Sequence, residues 1–290
     1  MTARRGRAVP YVFLAPVLLV GLAFYAVPIL LSLGLSLTNA NMLVTPRWVG
    51  LDNYVVLLTR DPNFLNTLVN TFVFAFGAAA VGIPAALLVA HAITLGRGRA
   101  FWRSMFWLPM VTNVVAVAYA WDIMLQPGYG IVNRLLGLLG LPGPDWLNDP
   151  GWAMASVVLV TVWIGMGHAV LLFSAGLENI EESFYEAARL DGATGWQLFT
   201  WVTLPLLRPT IVFVVVTTLI SGFGSFVLIL VMTGGGPQQA TNVTALYMYQ
   251  MAFESLRVGR ASAVAWLLGA VLVAVSLLTL RVLGDDAENA

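Results

Sequence analysis

Cysteine is absent from the 290 residues, which removes a disulfide framework, a thiolate nucleophile and a cysteine metal site. Lysine is absent as well. All 14 cations are arginines, so a Walker-type phosphate loop, a lysine Schiff base and a lysine general base are excluded within this chain. Any ATP chemistry must come from a partner. Charged residues make up only 10% of the chain, where a soluble domain carries about a quarter. The formal net charge is zero, so nothing favours electrostatic capture of nucleic acid or of strongly anionic substrates. What the chain does have is apolar: 59% of residues are hydrophobic, and the mean hydropathy is +0.86. Most of the surface therefore meets lipid, and one membrane domain is the expected count.

About 20 apolar residues cross a hydrocarbon core, and charged clusters and turn formers cut this sequence into six such stretches. They run from Val9 to Thr38, Leu65 to Ile93, Met105 to Leu125, Trp152 to Leu177, Thr210 to Met232 and Ala261 to Leu280. The expected fold is an all-α membrane protein of six transmembrane helices. The apolar start is too long for a signal-peptide core and is expected to stay as an anchor. With six spans both termini lie on one side. Placing them in the cytoplasm puts nine arginines there (Arg4, Arg5, Arg7, Arg97, Arg99, Arg103, Arg189, Arg208 and Arg281) against five outside.

Between the fourth and fifth spans lie Glu178, Glu181, Glu182, Glu186, Arg189, Asp191 and Arg208. Burying these in lipid costs on the order of 20 kcal/mol, so the segment is a cytoplasmic structure. Ser183-Phe184-Tyr185-Glu186 reads as a capping box, with an alternative helix start at Asn179. On that helix Ile180, Phe184, Ala187 and Ala188 share one face, and Glu182, Tyr185, Glu186 and Arg189 another. Gly192 can end it in a left-handed conformation; Thr194-Gly195-Trp196-Gln197 supplies a second box; Pro205 stops the second helix before Pro209 opens the next span. The result is an amphipathic knob suited to a groove on a cytoplasmic partner.

The run Glu186-Ala187-Ala188-Arg189-Leu190-Asp191-Gly192-Ala193, followed by Leu204-Pro205 and Pro209, resembles the EAA loop of permease subunits of binding-protein-dependent ABC importers. Val49-Gly50-Leu51-Asp52-Asn53-Tyr54, Phe101-Trp102-Arg103 with Leu108-Pro109, and Thr233-Gly234-Gly235-Gly236-Pro237 resemble the carbohydrate-uptake branch (maltose and glycerol-phosphate type). Glu181 departs from the proline that family members often carry before the helix.

The resemblance implies a type I importer fold: residues 1–64 as anchor helix and first outer loop, 65–284 as permease core with the loop at 178–208, and 285–290 as a cytoplasmic tail. It implies a bacterial or archaeal cytoplasmic membrane and a second, similar permease in a heterodimer. Two cytoplasmic ATPases would carry ATP and Mg, and an external binding protein would deliver a sugar. This chain itself would catalyse no reaction and hold no cofactor or metal. In the family the loop docks into a cleft on the ATPase, where its glutamate meets a basic residue. Glu186 is the matching position; Ala187, Ala188, Arg189, Asp191, Gly192, Ala193, Leu204 and Pro205 complete the matched segment. A purely structural reading, in which Glu186 closes a capping box and Gly192 ends a helix, is compatible with docking.

Counting inward at 1.5 Å per residue puts the bilayer midplane near His168 on the fourth span and near Leu219 on the fifth. Thr161, Ile164, Gly165 and His168 stand at i, i+3, i+4 and i+7; Thr218, Gly222 and Ser225 form a similar stripe, with Trp163 and Phe226 nearby. Hydroxyls suit a sugar, and a ring can meet its apolar face. Resemblance to the maltose-type permeases puts substrate-contacting positions on these stripes, with Asn113 on the third span a further candidate. The competing reading is close helix packing by Gly and Ser, Thr bonded to its own helix, and a satisfied core histidine. Asp122 reads as interfacial.

A proton- or sodium-driven transporter needs ionisable groups at depth, and only His91, His168 and Asp122 are available. The two histidines are too far apart in sequence for a zinc pair at i and i+4, which disfavours an intramembrane metalloenzyme.

Overall fold

The computed structural model describes residues 9–41 and 45–284. Arg4, Arg5, Arg7 and the expected tail at 285–290 lie outside the described residues. Five helices are long and apolar enough to cross a membrane, and a bent pair makes up to six, as the hydropathy pattern requires.

The first span is a pair of helices, α1 (Val9–Gly21) and α2 (Val27–Ser36), joined through a π turn at Leu22–Ala26. Another π turn, Phe199–Thr203, joins α10 (Gly195–Leu198) to α11 (Leu204–Gly224). Both π turns end two residues before a proline, Pro28 and Pro205. The wide turn inserts one residue, so the carbonyl that the proline ring would strike is displaced and its missing N–H is not called on. Pro205 therefore does not stop the second helix of the loop, as the sequence reading expected. That helix runs on into the fifth span, and Pro209 lies inside it.

Contacts divide the chain into two units, residues 1–62 with 248–267 and residues 63–247 with 268–290. In the first, α3 (Asp52–Thr59) packs at the C-terminus of α2. Gly50 takes a left-handed φ of 59° to turn the chain into α3. Asn53, 6% exposed, donates from Nδ2 to the carbonyls of Ser36 and Thr38, both at 2.8 Å, satisfying acceptors that the helix end leaves orphaned. Tyr54 OH meets Ser36 Oγ at 2.7 Å. The Gly-Leu-Asp-Asn-Tyr run is thus a helix-terminating clasp. Asn53→Ala should cost about 2 kcal/mol, because buried carbonyls lose their donor without gaining water. A lower thermal midpoint of the detergent-solubilised protein checks this, and an unchanged midpoint would contradict it.

The second unit contains nearly all of α4 (Pro62–Leu95), then α5 (Arg99–Val111), α6 (Val114–Met124), α7 (Ile131–Leu138), α8 (Pro150–Glu178), α9 (Glu182–Leu190), α10, α11, α12 (Val227–Met232), most of α13 (Thr244–Tyr249) and the C-terminal part of α14 (Val258–Gly284). Ala86, Ala90 and Ile93 of α4 pack with Val170, Phe173 and Leu177 of α8, and with Leu207 and Val214 of α11. Small residues let these helices close up. A Cβ on Gly167 of α8 would strike the Phe106 carbonyl and the Trp107 backbone of α5. Arg103 pairs with Glu178, and Arg208 Nε donates to the Leu283 carbonyl at 3.1 Å. The start of α5, the end of α8, the α9 segment and the end of α14 therefore gather at one end of this unit.

Two expected spans are interrupted. The third breaks between α5 and α6, which meet at 95°. Pro109 weakens the end of α5, Thr112 is extended, and Asn113 caps α6 by accepting from the N–H groups of Val115 (2.9 Å) and Ala116 (3.3 Å). The fifth ends at Gly224 rather than at Met232. Ser225 is extended, with ψ 129°, and α12 starts afresh at Val227. Glycines at 222 and 224 weaken helix propagation there.

Candidate functional site

A cavity of about 400 Å³ lies within the second unit, walled by α4, α5, α6, α8, α11 and α12. Thr161, Ile164, Gly165 and His168 of α8 line it, as do Thr218 and Gly222 of α11 and Ser225 just beyond. Two further candidates do not. Trp163 stands about 200° round the helix from Thr161 and from Gly165, and its ring meets Trp121 edge-on at 5.6 Å. Asn113 is spent on capping α6, although Met110 and Val114 on either side of it reach the cavity. Ser225 lines the cavity from an extended link, not from a helical stripe. The lining contains no Phe, Tyr or Trp ring.

The geometry separates packing residues from free ones. Gly222 is a packing position, because its Cβ would sit 3.0 Å from Ala75 Cβ and 3.1 Å from Ala75 Cα. Gly165 has nothing within 4 Å of its Cβ position. Thr161 Oγ1 donates to the Val157 carbonyl at 2.8 Å, and Thr217 Oγ1 to that of Phe213 at 2.8 Å. No hydrogen bond among the described residues occupies the side chains of Thr218, Ser221, Ser225 or His168. Sequence reasoning missed Ser221 and Thr217. Ser221 continues the register of Thr218, Gly222 and Ser225 at i+3, so its signal was present. Ala78 and Gly82 of α4 were missed because nothing in their own helix marks which side meets α8; a Cβ on Gly82 would touch Val162 at 3.4 Å.

At the gathered end, α9 starts at Glu182 with Glu181 as its N-cap, and Asn179 caps the end of α8. Ser183 is already inside α9 and donates to Glu181 Oε2 at 3.2 Å, so the first expected capping box does not form. The C-terminus closes by a Schellman motif. Ala193 N–H donates to the Ala188 carbonyl and Gly192 N–H to that of Arg189, both at 3.0 Å, with Gly192 at φ 85°. The second box does form, with Thr194 N–H donating to Gln197 Oε1 at 2.7 Å. Tyr185 OH lies 3.1 Å from Thr203 Oγ1 and ties α9 back to the π turn at Phe199–Thr203.

This closed hairpin leaves its outer face bare. Glu186, Ala187, Arg189, Asp191 and Gly192 are exposed, while Ala188 and Ala193 are half-buried. Arg189 pairs with Glu182 at 2.8 Å, whereas Glu186 makes no ion pair among the described residues. Leu190 is 89% exposed and Trp196 70%. Ile180 does not continue the apolar face of α9; it precedes the helix and packs on the core. Leu204 packs on the same core, and Pro205 is exposed on the continuing helix.

The family described as "Binding-protein-dependent transport system inner membrane component" matches residues 82–285. A probable ABC transporter permease protein, YesP of Bacillus subtilis (strain 168), is 35% identical over 282 residues, covering 96% of this chain and 90% of that protein. The lactose transport system permease protein LacF of Rhizobium radiobacter is 33% identical over 251 residues, covering 84% of this chain and 83% of its own. In solved structures the fold matches a chain of a bacterial alginate ABC transporter in complex with alginate pentasaccharide-bound periplasmic protein. The TM-score is 0.83 at 24% identity, over 97% of this chain and 96% of that one. A cavity among broken helices, a capped hairpin at one end and these similarities over nearly the whole length lead to one assignment: the chain belongs to the family of membrane permease components of binding-protein-dependent ABC importers, a transport subunit and not a catalyst.

Proposed function

We propose that this permease carries a neutral carbohydrate across the cytoplasmic membrane of a bacterium or archaeon, through the cavity between α4, α8 and α11. The observation that carries this reading is the lining. It offers the unoccupied hydroxyls of Thr218, Ser221 and Ser225 and the His168 imidazole, set among aliphatic side chains, and it contains no carboxylate, guanidinium or ammonium group. Polyols need donors and acceptors without charge; a phosphate or uronate would need a cation that the lining lacks. The lactose named for LacF, a neutral sugar, supports the same class.

The hairpin of α9 and α10 is the ATPase-docking element in this reading, with the chain termini on the same, cytoplasmic side. A second, homologous permease completes the pathway as a heterodimer. Two copies of an ATPase hold ATP and Mg, as a chain without lysine requires of its partners. An external binding protein delivers the sugar, and the permeases rock between outward-facing and inward-facing states.

The test is the complex reconstituted in proteoliposomes with its binding protein, offered lactose, maltose and trehalose beside glycerol 3-phosphate and alginate oligosaccharide. A neutral sugar should stimulate ATP hydrolysis and accumulate even after ionophores collapse ion gradients. Stimulation by the anions alone, or uptake that follows the ion gradient and ignores ATP, would contradict the reading. Within that assay Thr218→Val and Ser221→Ala should each raise half-saturating sugar about fivefold, the equivalent of one neutral hydrogen bond of about 1 kcal/mol. Unchanged half-saturation in both would remove these hydroxyls from the site.

A further inference from the structure

The Phe101-Trp102-Arg103 motif has no part in the cavity or in the exposed face of the hairpin, yet its arginine is placed with purpose. Phe101 and Trp102 are 66% and 46% exposed, while Arg103 turns inward, its side chain 23% exposed, onto the carboxylate of Glu178. Glu178 is the last residue of α8, and α9 starts only four residues later at Glu182. The turn between them is held by Asn179 N–H on the Gly176 carbonyl and Ile180 N–H on that of Leu177. The root of the hairpin is therefore a stiff extension of α8, and Arg103 is fastened to that root.

At its other end α5 lies against Gly167 of α8, where the Phe106 carbonyl and the Trp107 backbone fill the place of a side chain. Beyond that contact α5 stops at Val111, and the chain bends by 95° into α6. Met110 and Val114, on the two sides of the bend, both line the cavity. An ion pair this exposed adds little to fold stability. What it does add is a fixed link from the hairpin to a second helix, besides the continuous α11, whose far end is a break beside the cavity.

We propose that Arg103 and Glu178 are positioning residues for transport: their ion pair makes α5 follow the hairpin, so that movement of the hairpin reaches the Thr112–Asn113 break and changes access to the cavity. This inference rests on the reading of the hairpin as the element gripped by the ATPase.

The absence of cysteine provides a direct test. A single Val114→Cys reporter, in the complex with its ATPase and binding protein in lipid nanodiscs, is modified by a methanethiosulfonate reagent, and the rate is read by mass of this chain. With the pair intact the rate should differ about tenfold between the nucleotide-free and MgAMP-PNP-bound states. In Arg103→Gln and in Glu178→Gln that difference should fall below about twofold while the ATPase still co-purifies. Exchange of the two charges, Arg103→Glu with Glu178→Arg, should restore it. A full nucleotide response in both single variants, an exchange variant no better than the singles, or no response in the intact complex despite bound ATPase would overturn the proposal. So would loss of the ATPase from the single variants, which would make the pair an assembly contact. If the ATPase fails to co-purify with the intact permease, it is the docking reading that fails, not the link.

Discussion

Glu186→Arg is expected to release the ATPase from the complex and abolish ATP-driven uptake, while the permease still inserts and folds. Glu186 is exposed and unpaired within the described chain, so reversing its charge breaks no internal contact. Against a basic residue in a docking cleft the same change replaces an attraction by a repulsion in a desolvated place. Loss of one partner of such a pair costs about 2 to 5 kcal/mol, so affinity for the ATPase should fall ~30-fold or more. Co-purification at fixed detergent and salt reads the affinity, and far-UV dichroism reads the fold. Glu182→Gln is the matched control. It breaks the exposed pair with Arg189, an interaction worth under about 1 kcal/mol, and should leave both assembly and uptake close to wild type. Stoichiometric ATPase and wild-type uptake in Glu186→Arg would remove the hairpin from coupling.

Leucine substitutions at Gly165 and Gly222 should fail for opposite reasons, although both residues line the same cavity. At Gly165 no atom beyond its own stretch of helix lies within 4 Å of the Cβ position, so the new side chain enters the cavity and the fold is untouched. Uptake should drop more than ~10-fold at normal folded yield, because four added carbon atoms occupy space that the sugar must cross. At Gly222 the new Cβ sits 3.0 Å from that of Ala75, and the rest of the side chain has to force α11 away from α4. Overpacking of this kind costs about 1 to 3 kcal/mol or more. The expected signature is a lower thermal midpoint and less monodisperse protein. Gly165→Leu with normal uptake and normal half-saturation would show that sugar does not pass there.

Composition and periodicity made the fold legible, but not the points where helices break. Runs of apolar residues bounded by arginine fixed the number of spans, since lipid imposes one length on all of them. Periodicity also placed Thr161, Gly165 and His168 on one face, and Thr218 and Gly222 on another, because a helix is regular from one turn to the next. It failed where regularity ends. Asn113 looked like a polar residue in mid-span and is a helix cap; Ser225 looked like the next turn of a stripe and is extended chain. Trp163 was placed by proximity in sequence, and its rotation about the helix sends it to Trp121 instead. Pro205 looked like a stop, yet the π turn before it lets the helix continue. In the hairpin the second capping box and the left-handed Gly192 were legible because they are local. The pairing of Arg103 with Glu178 was not, because nothing local joins residues so far apart in sequence.

The central claim is that the acidic hairpin faces the cytoplasm and is covered there by a separate ATPase. The most direct measurement places a single cysteine at Ala187, exposed on α9 in a chain that has no other, and labels it with a membrane-impermeant maleimide. Labelling should occur in inverted vesicles and not in right-side-out ones, and it should be blocked once the ATPase is bound. Labelling from the outside, or equal labelling with and without bound ATPase, would contradict the account.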